Sequence, residues 1–231
     1  YSDEDASELI SEIKKDKEDS QTTDSIFGRK YRFILLLAFL VAAFNQFSGI
    51  NAFLYYAPRI FEEGGLGEGA ALLNSVGIGL TNVIFTLIGI NLIDKLGRRI
   101  LMYIGSIGYI ISLTLISLSF VLNWEGIFLP IFLFVFIASH AIGQGAIIWV
   151  YISEIYPNHL RSYGQSFGTS THWVLAAIIP SLVPFLFGII GPGVVFGIFA
   201  FMMILQLLFV HFIMPETKGI SLEVLSKKLI R

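Results

Sequence analysis

Apolar residues run almost unbroken from position 33 to position 214 and divide into six stretches, 33–57, 70–93, 100–122, 127–151, 164–187 and 194–214. Each approaches the roughly 20 mostly apolar residues that a helix needs to cross a bilayer core. The breaks between them, at 59–69, 94–99, 123–126, 153–163 and 188–193, carry glycine, proline, asparagine or charge, which hydrocarbon rejects. This pattern predicts an all-α membrane protein with six transmembrane helices. Before it lies a polar segment with Leu9, Ile10 and Ile13 at near-helical spacing, then a stretch over 20–25 that reads as a flexible tether. The expected organisation is a cytoplasmic linker over 1–32, a six-helix body over 33–214 and a cytoplasmic tail over 215–231. A chain that opens on Tyr1 inside a linker reads as the second part of something longer.

Composition agrees with the pattern: 55% of the 231 residues are hydrophobic and only 14% charged, against roughly a quarter charged in a soluble domain. With no cysteine, disulfide scaffolds and thiolate chemistry are excluded, and a net charge of -2 gives no electrostatic case for nucleic acid. The placement of basic residues is more informative. Six precede the first span, three lie in 94–99, one is Arg161 and four follow the last span, so 14 of 15 fall on one side and only Arg59 on the other. Because cytoplasmic loops are enriched in Lys and Arg, both ends of the chain are expected in the cytoplasm.

The first and fourth spans each carry a polar, glycine-bearing interruption, NQFSGIN at 45–51 and GQG at 143–145. Paired interruptions in a weak three-plus-three repeat are the usual pointer to a substrate site in secondary transporters. No Asp, Glu, Lys or Arg stands in the middle of a span, so this part of the chain offers no carboxylate for proton coupling. It offers instead Asn45, Gln46, Asn51, Asn82, Gln144, His172, Tyr55 and Tyr56, with Trp149 and Trp173. Amides donate and accept at once, and aromatic faces suit the C–H faces of a sugar ring, so the inventory points to an uncharged, hydroxyl-rich solute. Asn82 alone serves equally well as interhelical glue. Gln46 joins the face shared by Asn51 and Tyr55 only if the helix is distorted at Gly49. An opening at Gly145 would lie beside Trp149, and a hydrogen bond between His140 and Gln144, one turn apart, would satisfy both. Trp124 is an interfacial anchor and His211 a structural residue. At the cytoplasmic ends, Asp94, Arg98, Arg99, Glu154 and Arg161 are expected to form an ion-pair network that holds one conformation closed.

Four ordered segments, 45–56 (NQFSGINAFLYY), 94–99 (DKLGRR), 153–161 (SEIYPNHLR) and 215–219 (PETKG), together with Trp149 and Trp173, resemble the sugar porters of the major facilitator superfamily, in their C-terminal half. The resemblance implies sugar contacts by Gln46, Asn51, Asn82 and Trp149, with Asn45 at the neighbouring site and Tyr55 and Tyr56 closing an outer gate. His172 stands where related proteins often have a Gln or Asn that reaches the sugar, with Trp173 beside it. It further implies that the charges Asp94, Arg98, Arg99, Glu154 and Arg161 latch the outward-facing state, and that 1–32 ends the linker between two halves. Two departures stand out: Asn45-Gln46 replaces two consecutive glutamines, and no proline precedes Trp149, so bending there relies on Gly143 and Gly145.

The expected function is transport of a neutral monosaccharide, hexose or pentose, by alternating access, with this chain as the C-terminal half in the cell membrane. Its partners would be the sugar, the lipid bilayer, an N-terminal six-helix half and, if transport is coupled, protons handled by that half. The alternative is a truncated half-transporter or a non-transporting sugar-binding or sensing module. An enzyme is not expected: the sequence shows no metal-ligand cluster, nucleophile–base pair or phosphate-binding loop, and no cofactor or metal is called for.

Overall fold

Helix follows the apolar pattern closely in the computed structural model, which describes residues 25–124 and 127–230. The expected helix around Leu9 to Ile13, and most of the tether after it, lie outside the described residues. A short 3-10 turn, Arg29–Tyr31, leads into α1 (Arg32–Phe47) and α2 (Ile50–Glu63). Next come α3 (Glu68–Leu96) and α4 (Arg98–Val121). Then α5 (Phe128–His140) runs through a π-helical turn (Ala141–Gly145) into α6 (Ala146–Glu154). A second 3-10 turn, Asn158–Leu160, precedes the long α7 (Arg161–Phe212), and α8 (Leu222–Leu229) follows in the tail.

Five continuous helical stretches among the described residues are long and apolar enough to cross a membrane, the last of them spanning 55 residues. At about 1.5 Å per residue such a stretch would run roughly 80 Å, far beyond a hydrocarbon core of about 30 Å. It is broken at Gly191, whose φ of 77° and ψ of 155° are outside the helical region, directly before Pro192. The two limbs of α7, 161–190 and 192–212, are therefore separate spans, and the body has six.

Two connections are tighter than the sequence pattern suggests. Helix α2 continues to Glu63, with Arg59 Nε 2.8 Å from Glu63 Oε1, so only 64–67 separate it from α3. Between α3 and α4 a single residue turns the chain: Gly97, at φ 93°, ends one helix and starts the next. An L-residue with a Cβ is strained at that angle.

Helix α4 lies at the centre, packed mainly on α7 and α5. Its buried face repeats at helical spacing through Leu101, Met102, Gly105, Ser106, Tyr109, Ser112, Leu113 and Ile116. Phe136 of α5 bridges elements, meeting Phe53 of α2 edge-on at 5.5 Å and Tyr109 of α4 at 5.5 Å. By contrast α3 buries only Ala71, Ile78, Gly89 and Ile93 and stands at the margin.

Candidate functional site

The two expected interruptions are both present, and each has its own backbone solution. In the first span α1 ends at Phe47, Ser48 caps it, and Gly49 enters the left-handed region at φ 79° before α2 starts. The hydroxyl of Ser48 donates to the Asn45 carbonyl at 2.6 Å and accepts from the Ile50 N–H at 3.3 Å, so the break is satisfied locally. A Cβ on Gly49 would meet the Phe199 ring at 2.5 Å. In the fourth span the helix stays continuous but widens into the π turn Ala141–Gly145. There Gly143 backs onto Gly105 of α4 so closely that a Cβ on either would lie 2.8–2.9 Å from the other's Cα.

The Gly49 break brings Gln46 into register with Asn51, the condition set by their spacing. Asn51 Nδ2 donates to Gln46 Oε1 at 3.2 Å, and Gln46 Nε2 donates to Asn45 Oδ1 at 3.1 Å. Gln46 Nε2 also stands 3.2 Å from both ring nitrogens of His172, so it donates to whichever lacks a proton. His172 is flanked by Trp149 at 5.0 Å and Trp173 at 5.2 Å between ring centroids. Asn45, Gln46 and His172 are buried, while Trp149, Trp173 and Tyr55 are 41%, 57% and 60% exposed and form the open side. Thus α1, α2, α6 and α7 together present amides with aromatic faces beside them. Tyr56 is half-buried and departs from helical geometry (φ -112°, ψ 16°) just before Pro58, whose missing N–H interrupts the ladder.

Asn82 stands apart on α3. The neighbouring amides Asn74 and Asn91 bond back to the carbonyls of Ala70 and Leu87 on their own helix. Asn82 is half-buried and its side chain bonds to none of the described residues, which leaves its amide free to face a solute or another chain.

The expected His140–Gln144 hydrogen bond does not form. His140 Nδ1 pairs with the Tyr109 hydroxyl, and Gln144 Nε2 donates to Gln206 Oε1 on α7. The π turn is the cause: widening to i→i+5 bonds takes residues four apart off a common face. Gln206 Nε2 then donates to Ser106 Oγ at 2.8 Å, which donates to the Met102 carbonyl at 2.7 Å. Gln144 therefore braces the π turn from behind instead of lining the site. Gln206, a lone amide within FMMILQLLFV, is the sequence signal for this brace, and it was readable as a polar residue in mid-span.

At the helix ends around 94–99 and 153–161 the expected network is smaller and differently centred. Arg98 carries it, with Nη2 2.7 Å from Glu154 Oε1, Nε 3.1 Å from Glu154 Oε2 and Nη1 3.1 Å from Asp94 Oδ1. Arg99 and Arg161 are not in it. Arg99 Nε donates to the Val210 carbonyl at 3.0 Å and its Nη2 to the His211 carbonyl at 2.5 Å, while Arg161 pairs with the Asn158 side chain. Arg99 points along α4 toward the end of α7, where exposed carbonyls at a helix C-terminus accept a cation. His211 Nδ1 lies 2.9 Å from the Tyr103 hydroxyl.

The residue missing from the sequence-based cluster is Glu216, although its PETKG segment was visible. Its carboxylate accepts the N–H groups of Arg98 (3.0 Å) and Arg99 (2.9 Å) at the start of α4, and those of Thr217 (2.9 Å) and Lys218 (3.0 Å). A Cβ on Gly97 would lie 2.7 Å from Glu216 Oε2, so the glycine of DKLGRR is what lets PETKG dock. Burial works against ionisation of Glu216, but the four backbone donors outweigh it and hold the carboxyl below its usual range. Thr217 Oγ1 donates to Glu154 Oε2 at 2.7 Å and joins this clip to the Arg98 pair.

Comparisons with known proteins bear on this arrangement. The family model for "Sugar (and other) transporter" matches residues 2–229. The arabinose-proton symporter of Bacillus subtilis is 40% identical over 207 residues, covering 89% of this chain and 45% of that protein. The glucose transporter GlcP of Staphylococcus epidermidis is 34% identical, with 97% of this chain and 52% of that protein covered. A crystal structure of a double-tryptophan mutant of XylE superposes with a TM-score of 0.88 at 28% identity, over 97% of this chain and 48% of that one. The chain thus spans about half the length of the relatives it matches. With the family model fitted along nearly all of its length and the fold shared, the chain belongs to the sugar-porter family of the major facilitator superfamily, as a six-helix half of that fold.

Proposed function

We propose that this chain forms the C-terminal half of a transporter for a neutral monosaccharide, hexose or pentose, working by alternating access. The observation that carries the reading is the chain of amides Asn51, Gln46 and Asn45 joined to His172 between two indoles. Uncharged donors and acceptors beside aromatic faces match a sugar's hydroxyls and C–H faces, and similarity to proteins named for arabinose and glucose transport supports the same class. Asn82 and Tyr55 complete the site, with Tyr56 at the outer gate where α2 bends. The π turn ending at Gly145 gives α6 a place to flex, and the clip of Asp94, Arg98, Glu154 and Glu216 holds the cytoplasmic side shut, with Arg99 and Arg161 fixing the helix ends beside it.

Membership of a transporter family speaks for a multi-pass membrane protein and not for an enzyme. In this reading both ends of the six-helix body lie on the cytoplasmic side of the cell membrane, an orientation supported by the bias of the basic residues, with an N-terminal six-helix half as partner, 1–32 as the connection and 215–231 as the tail. Uptake of labelled D-glucose, D-xylose and L-arabinose by the full-length transporter tests this. Gln46→Ala, Asn51→Ala and Trp149→Ala are each expected to reduce sugar affinity by about five- to thirtyfold, as loss of a buried hydrogen bond or ring contact implies about 1–2 kcal/mol. Uptake and binding unchanged in all three would refute the site.

A further inference from the structure

One titratable side chain stands inside the amide chain just described. A neutral imidazole has one N–H and one bare nitrogen, and the bare nitrogen of His172 accepts from Gln46 Nε2 at 3.2 Å. The same amide group donates to Asn45 Oδ1 at 3.1 Å, and its Oε1 accepts from Asn51 Nδ2 at 3.2 Å. The direction of every bond is therefore set by one fact, that Gln46 turns its nitrogen toward the ring.

An imidazolium has two N–H groups and nothing left to accept with. When a proton from water binds the bare nitrogen, Gln46 Nε2 faces a donor, and the amide must turn to offer Oε1. That turn sets Oε1 against Asn45 Oδ1 and Nε2 against Asn51 Nδ2, so the two neighbouring bonds are kept only if the amides of Asn45 and Asn51 turn as well, and the chain then runs in the opposite direction. The charged ring is accommodated nonetheless, because Trp149 and Trp173 flank it at 5.0 and 5.2 Å and indole π density attracts a cation. The group facing His172 from α1 is the amide of Gln46, which in turn holds Asn45; from α6 it is Trp149, and on its own helix Trp173. The titratable group within electrostatic reach is His140 of α5, whose ring is engaged by Tyr109.

We propose that His172 is a proton-binding group of the solute site, and that one proton on its ring and a neutral sugar exclude each other by reversing the polarity of the Asn51–Gln46–Asn45 chain. The inference rests on the sugar site proposed above. By linkage, sugar binding expels that proton to the same degree that the proton weakens sugar binding.

The test uses the full protein in lipid nanodiscs, with D-xylose, D-glucose and L-arabinose as probes, at about pH 4 and about pH 8, a span that reaches past the acid side of the ordinary histidine range. Wild type is expected to bind its preferred sugar about tenfold more tightly at the higher pH, as one or two sugar hydrogen bonds mismatched against the reversed chain imply. In His172→Gln, whose amide donates and accepts at both pH values, the ratio of the two Kd values is expected to fall below about twofold; His172→Asn serves if that variant does not reach the membrane. A sugar-free readout runs beside it: acid should quench the fluorescence of Trp149 and Trp173 in wild type and not in the histidine variants. Equal Kd values at the two pH values in wild type would overturn the proposal. So would a pH dependence that survives unchanged in both variants, which would point to His140 or to a group in the N-terminal half. Binding of none of the three sugars at either pH would instead overturn the sugar-site reading, and this inference with it.

Discussion

The two interrupted spans solve the same problem in opposite ways. At Gly49 the helix stops, turns left-handed and starts again; the Ser48 hydroxyl meets the backbone groups of Asn45 and Ile50, and Gln46 and Asn51 pair across the break. At Ala141–Gly145 the helix never stops; it widens, and its support comes from far along the chain, from Gly105, Gln206 and Ser106. A locally satisfied break fixes side chains at a site. In the transporter proposed above, a widened turn held by distant packing serves as a joint, because its bonds can return to i→i+4 once the brace moves.

Four substitutions separate these solutions. The largest effect is expected for Gly105→Leu, since even a bare Cβ there lies 2.9 Å from the Gly143 Cα and neither backbone can yield. Overpacking at so close a crossing should cost about 3 kcal/mol or more, seen as loss of a monodisperse peak on size-exclusion chromatography in detergent. Next comes Gly49→Ala, at about 2–3 kcal/mol from left-handed strain and contact with Phe199. In a double-mutant cycle Phe199→Leu should restore the contact share and leave the strain, whereas a cost fully restored would mean that the backbone angle contributes nothing.

Gln206→Met removes the brace behind the π turn without touching the break at Gly49. Stranding Gln144 should cost about 1–3 kcal/mol in thermal unfolding, and Gln144→Met combined with it less than the sum, because no polar partner is then left unpaired. The smallest effect concerns the clip, which unlike both interruptions depends on an ionised carboxylate. Its folded-state affinity for protons is lowered, so its contribution is complete above the usual carboxylate range of about 4.3 and is lost as pH falls through the lower folded value. Glu216→Gln should therefore cost about 1 kcal/mol near neutral pH, and the gap from wild type should close in acid. A gap unchanged down to the acid limit would show that the charge is immaterial.

Much of this was legible in the chain itself. Six apolar stretches gave six spans, and the glycine at position 49 marked the distortion that Gln46 needs to reach Asn51. What was not legible was pairing across long separations. Gln144 and His140 look like partners because four residues usually make one turn, and only the π turn undoes that. Arg98, Arg99 and Arg161 are equivalent as charges, yet their partners depend on which helix end each faces. Glu216 sits in a visible motif, but its role lies with backbone N–H groups 117 and 118 residues away, which no side-chain pattern reveals.

That distance has a consequence for how the protein is made. The cap on α4 is supplied by a residue synthesised more than a hundred positions later. While the intervening spans leave the ribosome and enter the bilayer, the first amides of α4 have no carboxylate, and Gly97 holds an empty seat for it. Assembly of this face therefore waits on a segment that follows all six spans, so a six-helix bundle released before Glu216 would lack the cap on α4.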